Sequence, residues 1–122
     1  MPDARKLRVL LVDDDQVARQ LLGHMLTALG HEVVSAPDGR KALEIFVSTD
    51  GFNLVVTDIN MPLMNGWEFA LHVSEIRPDI PILAVTGNEP GSVHARLPAS
   101  PICHAIFKPF SLSVLKKALE IL

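Results

Sequence analysis

Five times in its length this chain passes from a short apolar run, rich in Val, Ile and Leu, into a longer stretch with helical spacing. Strands of that composition are buried on both faces, and strands joined through helices lie parallel. The alternation therefore predicts a parallel sheet with helices on both sides. The strand-like runs are "LRVLLV" (7–12), "EVVSA" (32–36), "FNLVVT" (52–57), "PILAVT" (81–86) and "HAIF" (104–107). Between the first two, Val17, Leu21, Met25 and Leu29 recur every four residues, Leu22 and Leu26 widen the stripe, and Gly30 supplies a C-terminal cap. Asp38 and Gly39 make a turn after Pro37, and "RKALEIF" then sets Ala42, Leu43 and Phe46 on one helical face. "WEFALHVSEI" reads as a third helix closed by Arg77 and Pro78, and "SLSVLKKALEIL" as a last one opening on Ser111, with Leu112, Leu115, Leu119 and Leu122 along one side.

The segment 87–101 breaks this regularity. Asn88 can cap a helix there and Pro90 is tolerated in its first turn, but Pro98 lacks an amide hydrogen and disfavours helix at Leu97. The fourth helix is expected to be short, about two turns near 89–96, and to open locally with little free energy. The expected class is α/β, a doubly wound five-stranded parallel sheet whose fourth helix is short or irregular.

A chain of 122 residues forms one domain, and composition narrows what that domain does. The net charge is -3 and the 11 lysines and arginines are dispersed, so there is no basic footprint for nucleic acid or an anionic membrane. Cys103 is the single cysteine, which excludes an internal disulfide. No export signal or membrane-length apolar run is present, and a cytoplasmic protein is expected.

In a doubly wound sheet, ligands bind outside the carboxyl ends of the strands. At those ends stand Asp13, Asp14 and Asp15 after the first run, Asp58 after the third, Thr86 closing the fourth and Lys108 after the fifth. Each alone has a plain structural reading, as a helix cap, a β-former or a solvated lysine. Independent decoration has no reason to gather acids, a hydroxyl and an ammonium on one edge. Adjacent carboxylates repel by about 4 kcal/mol at 4 Å and an effective dielectric near 20, so the cluster calls for a cation. Magnesium takes oxygen ligands, usually one or two carboxylates plus phosphate oxygens, and Asp13, Asp14 and Asp58 can supply that shell. A lysine and a threonine can neutralise and hydrogen-bond phosphoryl oxygens, and an aspartate can be the nucleophile that forms an acyl phosphate.

"LLVDDD", "VVTDINMPLMNGWE", "LAVTG" and "FKPF", in this order and at these separations, resemble the receiver domain of two-component response regulators across nearly the whole chain. The resemblance implies a flavodoxin-like sheet with strand order 2-1-3-4-5 and a receiver domain over 1–122, whole or the N-terminal part of a longer response regulator. It implies that Asp58 is the phosphoacceptor, and that Asp13, Asp14, Asp58 and the backbone carbonyl of Asn60 hold Mg²⁺. Thr86 would be the switch hydroxyl and Lys108 the partner first of the aspartate and then of the phosphoryl group. Asp15 is expected outside the metal shell, at the start of the first helix, and the Lys108–Pro109 bond is expected to be cis. Such a domain is not an enzyme on foreign substrates; it catalyses only its own phosphorylation and dephosphorylation. Its implied partners are a sensor histidine kinase or histidine phosphotransfer protein, an output domain or protein of unknown identity, and a second copy in a phosphorylation-dependent homodimer.

Other motif residues have local physical reasons. Pro62 fixes its own φ and excludes Met61 from the helical region, and Gly66 serves a positive φ or a close approach. A flavin-binding relative of this fold would need a Ser, Thr and Gly-rich cradle where three carboxylates stand. An aspartate-nucleophile phosphatase would usually carry its nucleophile at the first strand with a second acid two residues on, whereas Asp58 follows the third run and has Asn60 at that spacing. The surviving alternative is a degenerate receiver acting as a phosphorylation-independent interaction module, against which the intact set Asp13, Asp14, Asp58, Thr86 and Lys108 argues. One departure is plain: receivers usually carry an aromatic or His three residues before the lysine, and here that position is Ala105. His104 points to the opposite face of the strand, and Phe107 shares the face of Ala105.

Overall fold

The computed structural model describes residues 5–122. Five strands, β1 (Arg8–Val12), β2 (Glu32–Ala36), β3 (Leu54–Thr57), β4 (Ile82–Thr86) and β5 (His104–Phe107), alternate with five helices. These are α1 (Gln16–Ala28), α2 (Gly39–Ser48), α3 (Gly66–Ile76), α4 (Pro90–Arg96) and α5 (Leu112–Glu120). The strands pair in parallel in the order β2-β1-β3-β4-β5. The crossover leaving β1 runs to one side, to β2, and the one leaving β3 runs to the other, to β4, and this opens the crevice between the ends of β1 and β3.

Period-two alternation within β1 divides the interior into two cores. Leu10 and Val12 face Ala42, Phe46, Phe69, Val73 and Val93, beneath α2, α3 and α4. Val9 and Leu11 face Leu22, Leu26, Leu115, Ala118 and Leu119, beneath α1 and α5. Both faces of β1, β3 and β4 are thus buried, as their uninterrupted apolar runs require. Among the described residues no helix is long and apolar enough to cross a membrane.

Helix boundaries follow the local chemistry. Asp15 caps α1 by accepting from the amides of Val17 and Ala18, Asp38 caps α2 through Lys41, and Ser111 caps α5 through Val114. Asn65 and Glu68 close α3 with a reciprocal capping box. Gly30, at φ 96°, ends α1: its amide reaches the Thr27 carbonyl and the His31 amide reaches that of Leu26.

Three expectations need correction. The four-residue spacing of Val17, Leu21, Met25 and Leu29 does not mark the buried face, since Val17 is 75% and Leu21 61% exposed. A step of four residues overshoots a 3.6-residue turn by about 40°, so such a stripe winds off its face, and Leu22 and Leu26 carry the burial instead. Leu112 is likewise exposed at the start of α5. The cap of the short fourth helix is Glu89, whose carboxylate accepts from the amides of Gly91 and Ser92, and not Asn88. Leu97–Ala99 adds a 3-10 turn to α4 around Pro98. Val93 buries itself beneath α4, and the ring of Phe107 stands edge-on to His94 at 5.4 Å, so the segment is braced despite Ala105.

At the opposite end of the sheet, the Leu7 amide donates to Nδ1 of His31, and Leu7's carbonyl accepts from Glu32. Burial, with Arg5 adding to it, holds the His31 imidazole below its ordinary pKa. The unfolded chain therefore binds this proton more readily than the native one. Stability should be unaffected by His31 at neutral pH and should fall as the pH drops below about 6.5, the unfolded value. Urea unfolding at about pH 7 and pH 5.5 should show a larger acid loss for the parent than for His31→Gln, whose amide oxygen can still accept from Leu7.

Candidate functional site

Three carboxylates meet where β1 and β3 end. Asp13 and Asp14 follow β1, Asp58 follows β3, and each offers an oxygen within 4.8 Å of the others. The Asp13 side chain is only 3% exposed and that of Asp58 12%, whereas Asp14 faces solvent. Lys108, following β5, reaches back over the edge. Its Nζ lies 3.3 Å from Asp13 Oδ2 and 3.8 Å from Asp58 Oδ2.

The backbone fixes these groups before any ligand does. The Asp58 amide donates to the Val12 carbonyl, the Asp13 amide to Ala36, and the Lys108 amide to Thr86. Asp13 Oδ1 accepts from the Asp15 amide at 2.9 Å, and the Asp13 carbonyl accepts from Arg19 of α1 at 2.7 Å. Asp58 Oδ1 is held by the Ile59 amide at 2.7 Å, which leaves Oδ2 toward Lys108. Burial raises the Asp58 carboxyl above the usual carboxylate range; Lys108 works against that rise and Asp13 adds to it. Asp15 turns instead to cap α1, as expected.

The other expected residues surround this cluster. Thr86 is fully buried at the end of β4, and its Oγ1 accepts from the Asn88 amide at 3.1 Å, leaving its own proton to donate elsewhere. Asn60 exchanges side-chain amide hydrogen bonds with Asn88 across the mouth of the crevice. The Lys108–Pro109 peptide is cis. Gly66 answers the choice between positive φ and close approach in favour of approach: a Cβ there would lie 2.8 Å from Ile59 Cα and nearer still to the Asp58 carbonyl oxygen. The Gly66 amide donates to the Ile59 carbonyl, so α3 begins directly against the peptide of Asp58.

Sequence reasoning missed three contributors. Asn88 reads in sequence as a helix cap, although its position two residues past Thr86 on the ligand edge offers a signal. Arg19 gave none, since a helical arginine is ordinarily solvated. Thr57, buried and donating to the Asp58 carbonyl, reads in sequence as a β-former.

The donor set suits a hard cation. Among the described residues, two carboxylates nearly out of solvent and a third beside them have a single ammonium against them, and their oxygens converge without sulfur or imidazole. Oxygen-only ligation with one exposed side leaves room for water and phosphate oxygens, the pattern that magnesium favours.

Comparison with known proteins accords with this geometry. The family model described as the response regulator receiver domain matches residues 9–120. The chain is 36% identical over 115 residues, 94% of its length, to the sensor protein EvgS of Escherichia coli, and 30% identical over 119 residues, 98% of its length, to the sensor histidine kinase RcsC of that organism. It spans 10% and 12% of those two proteins. Among solved structures it resembles the Vibrio cholerae chemotaxis protein CheY4, with TM-score 0.88, 33% identity, and coverage of 96% of this chain and 98% of that one. It also resembles the response regulator protein TrrA of Thermotoga maritima in complex with Mg²⁺-BeF, with TM-score 0.85, 30% identity and the same coverages.

The strain in the cluster is measurable. In metal-free buffer at neutral pH, Asp58→Asn removes a desolvated charge that Asp13 repels while keeping the side-chain oxygen that Ile59 holds. A raised carboxyl costs stability above its folded pKa, so this variant should melt a few degrees higher than the parent by calorimetry. An unchanged or lower melting temperature would contradict the electrostatic account.

Proposed function

The chain belongs to the response regulator receiver domain family, and we propose on that premise that it accepts a phosphoryl group on Asp58 from a phosphohistidine of a sensor kinase or phosphotransfer protein. The observation that carries this reading is the placement of Lys108 Nζ between Asp13 and Asp58, beside the Asp58 oxygen opposite the one that the Ile59 amide holds. Asp58 Oδ2 attacks phosphorus, a P–O bond forms as the P–N bond breaks, and the imidazole leaves with its electron pair. Lys108 faces the charge that gathers on the phosphoryl oxygens, and the Thr86 hydroxyl donates to one of them. Asp13, Asp14, Asp58 and the Asn60 carbonyl would hold Mg²⁺, which when bound supplies neutralising charge to the same oxygens. A phosphorylation-independent module would have no need of this buried charge arrangement.

An apolar groove supports the choice of donor. It measures about 240 Å³ and is lined by Ala18, Leu21, Leu22, Met25, Val85, Lys108, Pro109 and Phe110. It thus starts at the lysine that touches Asp58 and runs onto α1, where Val17 and Leu21 are exposed. A histidine-bearing helix of the donor, seated on this face, would bring its phosphoryl group to the crevice. The phosphorylated domain would then act as a switched protein-interaction surface, with no activity toward foreign substrates.

With Mg²⁺ and acetyl phosphate, mass measurement should show one phosphoryl group gained by the parent and none by Asp58→Asn, and a chelator should abolish the gain. Equal labelling of the variant would overturn the assignment. Leu21→Glu should leave labelling by acetyl phosphate unchanged and slow transfer from a phosphohistidine protein at least about tenfold, the effect of losing ~1.4 kcal/mol from the encounter surface.

A further inference from the structure

The output side of this domain poses a problem that Ala105 makes explicit: no ring stands at the position where receivers usually carry one. Two ring contacts elsewhere converge on α4. The guanidinium of Arg96, in the last turn of α4, lies 4.7 Å from the ring centroid of Trp67, and His94 of the same helix meets Phe107 edge-on at 5.4 Å. Phe107 is one residue from the reacting cluster, and Trp67 one residue from its backbone support. Trp67 follows Gly66, which is seated on the Asp58 peptide, and Phe107 precedes Lys108 while pairing with Thr86 across the sheet. A third tie, the Asn88 amide on Thr86 Oγ1, lies at the start of α4.

We propose that the state of Asp58 is read by α4 through these two ring contacts, Arg96 on Trp67 and His94 on Phe107, in place of a rotating ring at residue 105. The inference rests on the phosphoacceptor reading above and names how that site is reported. A phosphoryl group on Asp58 offers new acceptors to the Thr86 hydroxyl and to Lys108. Both turn toward it, carrying Asn88, Phe107 and with them the start and middle of α4, while Trp67 stays anchored through Gly66 to the Asp58 peptide. Relative motion between α4 and α3 follows, and Arg96 slides off the Trp67 ring. The ring is buried while exposed Arg96 covers it, so losing the cover exposes it to solvent. The two states differ in packing at a named contact, which is what a switch requires of its reporting element.

Trp67 is the only tryptophan, so the fluorescence comes from this ring alone. Acrylamide quenching should be measured on the full chain with Mg²⁺, before and after acetyl phosphate, with the mass gain recorded on the same samples. In the parent, phosphorylation should raise the quenching constant about twofold. Arg96→Ala should give the high value in both states with an unchanged mass gain, and Arg96→Lys should restore the dependence on phosphorylation in part, since an ammonium can still cover the ring. Phe107→Leu should abolish the phosphorylation-dependent change in amide exchange over residues 90–99. A complete mass gain with unchanged quenching in the parent, or a dependence that survives Arg96→Ala, overturns the inference and leaves the phosphoacceptor reading intact. A parent that gains no mass overturns that reading, and the inference falls with it.

Discussion

Like charges crowded at the end of a parallel sheet are the constraint on which the rest of this structure depends. Asp13 and Asp58 are nearly withdrawn from water within 4.8 Å of one another, and a repulsion of about 4 kcal/mol at 4 Å would be a large share of a small domain's stability if nothing met it. Lys108 meets part of it, and reaching both carboxylates requires β5 to lie in register with β4 while its loop folds back over the sheet edge. The charge cluster thus ties together the first, third and fifth strands, which are far apart in sequence. Local devices hold the remainder: the Ile59 and Asp15 amides each take one carboxylate oxygen, and Arg19 takes the Asp13 carbonyl. These bonds orient the side chains and favour the charged carboxylates, but burial outweighs them at Asp58, with Asp13 adding to it, so Asp58 holds its proton more tightly than an ordinary carboxylate does.

Packing beneath the cluster serves the same end. Gly66 lets α3 start in contact with the Asp58 peptide, and its capping box fixes the helix at that point. Any larger residue would push α3 away from the loop and loosen Ile59, whose amide orients the Asp58 carboxylate. Rigid placement of a nucleophile is worth more than proximity alone, because an orientation error at the reacting atom is felt in the rate. The two deep cores on either face of β1 make that placement stiff.

Much of this was legible in the sequence, because the information sits in features that short-range chemistry reads well. Strand runs, the caps at Asp15, Asp38 and Ser111, and the glycine after α1 all act through neighbours a few residues away. The gathering of Asp13, Asp14, Asp58, Thr86 and Lys108 followed from topology, since a doubly wound sheet collects strand ends on one edge. The failures have equally physical causes. The α1 stripe misled because apolar periodicity reports where greasy residues recur, and Val17 and Leu21 recur on the solvent side. Asn88 misled because its local competence to cap a helix was outbid by a side-chain partner, Asn60, 28 residues away. The contacts of Arg96 and His94 with rings were invisible for the same reason: α4 lands on α3 and β5 in ways that no window of sequence spans.

Division of the interior into two cores has a consequence for how such a domain can change over generations. The apolar face of α1 and the ring contacts of α4 lie on opposite sides of the sheet and share no side chain. Substitutions on the two sides are separated by the thickness of the sheet and of its covering helices, a distance at which their energetic effects add without coupling. A lineage can therefore drift on α1 while α4 stays under its own selection, and the reverse. The sheet acts as an insulator between two independently inheritable surfaces, with the carboxylate cluster as the single point both must keep.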